Sequence, residues 1–210
     1  MAHIEAVAQA VEAGKIKIVA GLVEEALAEG IDPLEILNKG MIGAMGVVGE
    51  KFKRSEIYVP EMLVAAKTMK KGLEALRPRL AGNAAASRGV CIIGTVAGDW
   101  HDIGKNLVAM MLESAGFEIV DLGVDVPAET FIAALRQHAG AKIVALSALL
   151  TTTMPAMGQI IEAVKASGAK GEGCKILVGG APITQAYADQ IGADGYAPDA
   201  ASAAVMAAGF

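Results

Sequence analysis

The sequence predicts two domains of different class: an N-terminal all-α four-helix bundle over residues 1–80, then an α/β doubly wound domain built on a five-stranded parallel sheet over residues 90–210. Three observations predict this. Up to residue 80 the apolar residues recur only at helical spacing. From Val90 onward, short and nearly continuous apolar runs alternate with amphipathic ones, as in parallel strands covered on both faces and joined by helices. Between the two, residues 81–89 (Ala-Gly-Asn-Ala-Ala-Ala-Ser-Arg-Gly) have little to bury and read as a flexible linker.

In the first half, Ile4, Val7, Ala8 and Val11 mark one helix, and the run from Ile16 to Ala28 marks a second. Asp32-Pro33-Leu34-Glu35 is a helix start: Asp32 caps, Pro33 takes the first helical position and Glu35 reaches back. This third helix runs toward Lys53. Val59-Pro60-Glu61 opens a fourth, which carries Met62, Leu63, Ala66, Met69 and Leu73 and is expected to stop before Pro78. Short connections between four helices suggest an antiparallel bundle.

In the second half, strands are expected at 90–96, 117–122, 142–148, 174–178 and 195–197, and helices at 105–115, 128–138, 154–168, 184–191 and 200–208. This βα alternation gives a flavodoxin-like sheet. Such sheets bind ligands at the carboxyl ends of their strands, where the strand order reverses.

Composition narrows the function. The chain has 210 residues, 54% hydrophobic and 20% charged, enough for a sizeable core. A net charge of -5 argues against nucleic acid, which needs a basic face, and 4% aromatic content leaves no base-stacking platform. No stretch approaches the roughly 20 apolar residues of a membrane helix, and the first residues lack the pattern of a secretory signal. Cys91 and Cys174, far apart at expected strand starts, read as buried thiols in a reducing cytoplasm.

The segment Gly98-Asp99-Trp100-His101-Asp102-Ile103-Gly104-Lys105-Asn106 joins the first strand to its helix. Gly98 and Gly104 allow a sharp turn and leave room beside it. Asp99, two residues before His101, can accept one imidazole proton and fix which nitrogen points outward. That suits a metal ligand, although a lone histidine at a strand end is commonly structural. Asp102 reads as a helix-start residue, and Trp100 as a packing residue. The spacing from Gly98 to Gly104-Lys105 does not match a phosphate loop. Two more strand ends should meet this loop. One carries Ser147-Ala148-Leu149-Leu150-Thr151-Thr152-Thr153, whose hydroxyls could satisfy a buried polar ligand; the other carries Gly179-Gly180, where a ligand could approach the backbone.

Asp99-x-His101-x-x-Gly104 resembles the cobalamin-binding signature of corrinoid proteins. Residues 33–200 look like the corrinoid proteins of cobalamin-dependent methyltransferases and the cobalamin module of methionine synthase. The resemblance implies a cobalamin or related corrinoid held base-off, with His101 as lower cobalt ligand and Asp99 hydrogen-bonded to it. It places the displaced nucleotide tail beside Ser147-Ala148-Leu149, Thr151 and Gly179-Gly180, and puts Thr153 where methionine synthase has a serine next to the acid. Asp121-Leu122-Gly123-Val124-Asp125-Val126-Pro127 matches the family's second strand and loop. Phe52 and Val59 match cap residues over the cofactor's upper face, though both could simply be bundle core.

The resemblance further implies a methyl-carrier subunit, cycling between Co(I) and methyl-Co(III), with no complete reaction of its own. Its partners would be a substrate-specific methyltransferase, a methyl-acceptor methyltransferase using tetrahydrofolate or coenzyme M, and a reductive activase. The donor would be methanol, a methylamine, a betaine or a methoxylated aromatic. A cobalamin-dependent sensor is the competing reading, and the cobalamin part of a carbon-skeleton isomerase a third.

Overall fold

The computed structural model describes residues 2–80 and 87–210; most of the expected linker, residues 81–86, lies outside the described residues. The chain divides into two compact units, Met1–Ser87 with Ser114–Gly116, and Arg88–Glu113 with Phe117–Phe210.

The first unit is helical. It contains α1 (Ala2–Glu12), α2 (Val19–Ala28), α3 (Pro33–Glu35), a π-helical stretch (Ile36–Ile42), α4 (Gly43–Lys53) and α5 (Val59–Leu80). Its core is aliphatic and methionine-rich: Val7, Val11, Val19, Val23, Ile36, Met41, Met62, Met69 and Leu76 are all buried. A side chain at Gly72 would press on Met41 and Val19, so α5 lies close against its neighbours there.

The expected third helix is continuous but not uniform. Its buried residues come in pairs at 36/37, 40/41, 44/45 and 48/49. That repeat of four is longer than the α-helical 3.6. The wider π turns, with the Gly43 N–H bonded to the Asn38 carbonyl, take up the excess and keep the stripe on the core. Asp32 caps as expected, its Oδ1 accepting from the Leu34 N–H at 2.7 Å. Glu35 does not reach back; its carboxylate accepts from Lys39 Nζ at 2.7 Å, one turn on, where an ammonium outcompetes a backbone N–H. The fourth helix also corrects an expectation. It runs through Pro78 to Leu80, because burial of Leu76 and Leu80 holds the last turn helical around the missing N–H.

The second unit is the doubly wound domain. Its elements are β1 (Val90–Thr95), α6 (Ile103–Ser114), β2 (Glu118–Asp121), α7 (Ala128–Gln137), β3 (Ile143–Ser147), α8 (Met154–Ala166), β4 (Lys175–Gly179), α9 (Gln185–Gln190), β5 (Gly195–Tyr196) and α10 (Ala200–Gly209). All strand pairs are parallel, in the order β2-β1-β3-β4-β5. Ile92, Ile93, Ile143, Val144, Leu146, Ile176 and Val178 are buried, which accounts for the continuous apolar runs. Gly94 is glycine for packing: a Cβ there would stand 2.8 Å from the Phe131 ring of α7. Cys91 and Cys174 are free and buried, and burial pushes the Cys91 thiol up to about 12, with Cys174 adding to the effect. No helix among the described residues is long and apolar enough to cross a membrane.

The strand order reverses between β1 and β3. Register aligns Thr95, Ser147 and Gly179 across the carboxyl edge of the sheet. The loops after β1 and β3 therefore flank the switch point, where an open α/β sheet has its crevice.

Candidate functional site

The loop after β1 turns at Gly98, whose φ of +81° few other residues adopt readily. It delivers Asp99 into the interior, 0% exposed, and leaves the His101 side chain half exposed at 50%. Asp99 Oδ1 lies 2.7 Å from His101 Nδ1 and also accepts from the His101 N–H at 3.1 Å. Oδ2 accepts from the N–H groups of Leu149 and Leu150 at 2.7 and 3.3 Å and from the Thr153 hydroxyl at 2.7 Å. One carboxylate thus joins the loops on both sides of the switch point.

Burial alone would raise the Asp99 pKa. The Leu149 N–H, the Thr153 hydroxyl and the two His101 donors outweigh it and hold the carboxyl well below the usual carboxylate range. An ionised Asp99 accepts only, so the proton between it and the ring sits on Nδ1. In the neutral ring Nε2 then carries the lone pair, on the half-exposed side chain. The Thr153 hydroxyl also stands 2.9 Å from the Leu150 carbonyl. Its single proton can serve one acceptor at a time, and the carboxylate is the stronger.

Other expected residues fall where the fold requires. Ser147 ends β3, and Gly179 ends β4 beside it. Leu149 is 42% exposed while its N–H holds Asp99. Thr151 is exposed in the turn before α8, and Gly104 is exposed in the first turn of α6 with nothing within 4 Å of where a Cβ would stand. In the helical unit, Phe52 is half-buried near the end of α4 and Val59 is 36% exposed at the start of α5.

One expectation is corrected. Trp100 does not pack: it is 72% exposed, because the turn that buries Asp99 directs the next residue outward. Trp100 and Ile103 beside His101 in sequence, and Leu149 and Leu150 on the loop bonded to Asp99, give these two loops an exposed apolar rim. The glycines after β4 also have an internal reason to be glycine. A Cβ on Gly180 would fall on the Ala148 carbonyl, and one on Gly179 would meet the Ala197 carbonyl at 3.1 Å. They let the chain pass its own backbone.

Sequence reasoning missed the supports of the His101 loop. Asp125 Oδ1 accepts from the Gly98 N–H at 2.7 Å, and the Asp125 N–H donates to the Asp99 carbonyl at 2.9 Å. The Thr95 hydroxyl donates to the His101 carbonyl at 2.9 Å. Lys105, 2% exposed, donates to both oxygens of Asp121 at 2.7 and 2.6 Å. An Asp before Val-Pro at a strand end was the available signal, and Asp125 does take a positive φ of 53°.

The donor set limits what could bind. Among the described residues no group of three or more His, Cys, Asp or Glu side chains could hold a metal ion. A metal taken by His101 must bring its other ligands, as one held in a macrocycle does. The apolar rim and the open space at Gly104 suit the flat, largely apolar body of such a ring.

Comparison with known families decides the class. A family model described as "B12 binding domain" matches residues 89–205, and a second with the same description matches residues 3–77. The chain belongs to the B12-binding corrinoid proteins. This corrinoid protein is 43% identical over 205 residues to dimethylamine corrinoid protein 1 of Methanosarcina acetivorans, covering 97% of this chain and 95% of the relative. It is 44% identical over 186 residues to trimethylamine corrinoid protein 1 of the same organism, covering 88% and 85%. Among solved structures, it resembles the methanol:cobalamin methyltransferase complex of Methanosarcina barkeri with a TM-score of 0.83 at 29% identity, covering 100% of this chain and 81% of that one. A cobalamin-binding protein from Desulfitobacterium hafniense DCB-2 matches with a TM-score of 0.81 at 29% identity, covering 97% and 96%. The helical unit and the sheet unit are thus both those of a corrinoid protein, and corrinoid binding is the property they share.

Proposed function

We propose that the chain is the methyl-carrier subunit of a corrinoid-dependent methyltransferase system, holding its corrinoid base-off with His101 Nε2 as the lower axial ligand of cobalt. The observation that carries this is the 2.7 Å contact between His101 Nδ1 and the buried Asp99 carboxylate, which leaves Nε2 as the outward nitrogen. When bound, the corrinoid supplies a cobalt centre that accepts a methyl group and gives it up. The protein's part is to bind it, orient it and adjust the basicity of its one ligand. Asp99 holds the Nδ1 proton and makes the imidazole a better donor; the Thr153 hydroxyl and the Leu149 N–H keep Asp99 ionised while it does so.

The nucleotide tail lies beside Ser147, Leu149, Thr151 and the Gly179-Gly180 turn, where hydroxyls can satisfy its polar atoms. Phe52 and Val59 of the helical unit match the family's cap residues and are the candidates for shielding the bound methyl. The names of the relatives support methylamines as the methyl-donor class, and the structural relative supports methanol as a second. A substrate-specific methyltransferase would load the carrier, a second methyltransferase using tetrahydrofolate or coenzyme M would unload it, and a reductive activase would restore it, all in the cytoplasm. The relatives' names favour this carrier role over a cobalamin sensor.

The deciding measurement is electron paramagnetic resonance of anaerobically reconstituted Co(II) protein, with 15N-labelled benzimidazole in the corrinoid and natural-abundance 14N in the protein. Three-line splitting from the axial nitrogen, lost in His101→Ala, is the expected result. A two-line pattern would mean that the cofactor keeps its own base and would sink the ligand assignment.

A further inference from the structure

The Lys105–Asp121 pair, one of the supports of the His101 loop, is expensive to bury. Lys105 sits in the first turn of α6, where the helix dipole disfavours a cation, and its side chain is 2% exposed. Burying an ammonium there costs several kcal/mol unless it is fully paired. It is: its three protons meet Asp121 Oδ1 at 2.7 Å, Asp121 Oδ2 at 2.6 Å and Asn106 Oδ1 at 2.7 Å. A leucine or methionine would fill the same place without that demand, so the charge has a use beyond filling space.

Its place in the fold shows the use. Asp121 is the last residue of β2, and its Oδ1 also accepts from the Gly123 N–H at 2.9 Å, so the carboxylate fixes the start of the loop between β2 and α7. Further along, the same loop bonds back to the end of β1 and to the His101 loop. The Gly123 carbonyl accepts from the Thr95 N–H at 3.0 Å, Asp125 Oδ1 accepts from the Gly98 N–H at 2.7 Å, and the Asp125 N–H donates to the Asp99 carbonyl at 2.9 Å. The segment 98–105 is therefore held at both ends by one neighbouring loop: Asp125 at Gly98 and Asp99, Asp121 at Lys105. His101 lies between these two anchors.

We infer that Lys105 and Asp121 are positioning residues, which with Asp125 clamp the His101 loop and so fix the direction from which the imidazole meets a metal. This rests on the proposed ligand role of His101. Asp99 orients the ring about its own bonds; the clamp orients the backbone that carries both residues. Neither Lys105 nor Asp121 need touch the corrinoid.

The test uses the full chain reconstituted with cobalamin in the Co(II) state. The wild-type spectrum gives the fraction of cobalt with 14N imidazole splitting. Lys105→Met removes the charge, keeps the apolar stem and leaves Asp121, already 40% exposed, free to be solvated. The ratio of imidazole-bound to unligated cobalt should fall about tenfold, the low end of what outer-shell substitutions cost a metal site, while corrinoid stoichiometry holds. Lys105→Arg should restore most of it. Where Lys105→Met does not fold, Lys105→Gln takes its place with the same expectation. An unchanged ratio in a folded variant, whether or not its melting temperature falls, overturns the positioning role and leaves the His101 assignment standing. A wild-type spectrum with no protein imidazole overturns both.

Discussion

Thr153 and His101 lie on different loops, yet each is bonded to one oxygen of the same buried carboxylate, Asp99, at 2.7 Å. The order Thr153–Asp99–His101 forms a short relay from the start of α8 to the candidate ligand. Its centre and its Thr153 end can be tested without cofactor.

Asp99→Asn should destabilise the apo protein by about 3 kcal/mol, since an amide turns one NH2 group toward donors that need an acceptor. The effect should depend on pH. The folded pKa of Asp99 is depressed, so its contribution is fully present above the unfolded value of about 4 and is lost as pH falls through the folded value below it. Urea titrations from about pH 5 down to about pH 3 should show the gap between wild type and Asp99→Asn closing below about pH 4. A gap that widens toward acid would contradict the ionised carboxylate.

The hydroxyl and the methyl of Thr153 separate cleanly. Thr153→Ser keeps the hydroxyl and should unfold within about 0.5 kcal/mol of wild type. Thr153→Ala removes a hydrogen bond to an ionised acceptor and should cost about 1.5–3 kcal/mol by chemical denaturation. Equal losses in the two variants would assign Thr153 a packing role instead.

Two glycines at the site should behave in opposite ways. Gly180→Ala drives a methyl onto the Ala148 carbonyl at a φ of +132°, and the protein should fail to fold or lose more than about 4 kcal/mol. Gly104→Ala meets nothing within 4 Å and lies in a helix, so it should leave the apo protein as stable or up to about 1 kcal/mol more stable. Its cost should appear only as weaker corrinoid binding. Calorimetry of apo protein beside a corrinoid titration distinguishes the two.

The chain has a single tryptophan, and it stands 72% exposed beside His101. Apo protein should therefore show the emission of a water-exposed indole, and bound corrinoid should quench most of it. Emission that survives stoichiometric loading would place the macrocycle away from the apolar rim.

Much of this was legible in the chain. Parallel strands buried on both faces announce themselves as continuous apolar runs, and each expected strand overlaps an observed one, with no end differing by more than one residue. Asp99, His101 and Thr153 could be found because a short motif and the topology rule for open sheets point to the same strand ends. What escaped depends on contacts distant in sequence. Nothing local in Gly104-Lys105-Asn106 says that Lys105 is buried, since its partner is Asp121 on another strand. Trp100 misled because a large apolar residue is usually inside, whereas the turn at Gly98 leaves this one 72% exposed. The π turns and the helical Pro78 escaped because burial of neighbouring residues outweighed local backbone preference.

The carboxylate of Asp99 also sets a width. It accepts from both sides of the switch point, so the loop after β1 and the loop after β3 cannot separate without breaking bonds to a single buried anion. The spacing of these two loops is therefore set before any ligand arrives, and whatever needs them further apart must first unpair a charge.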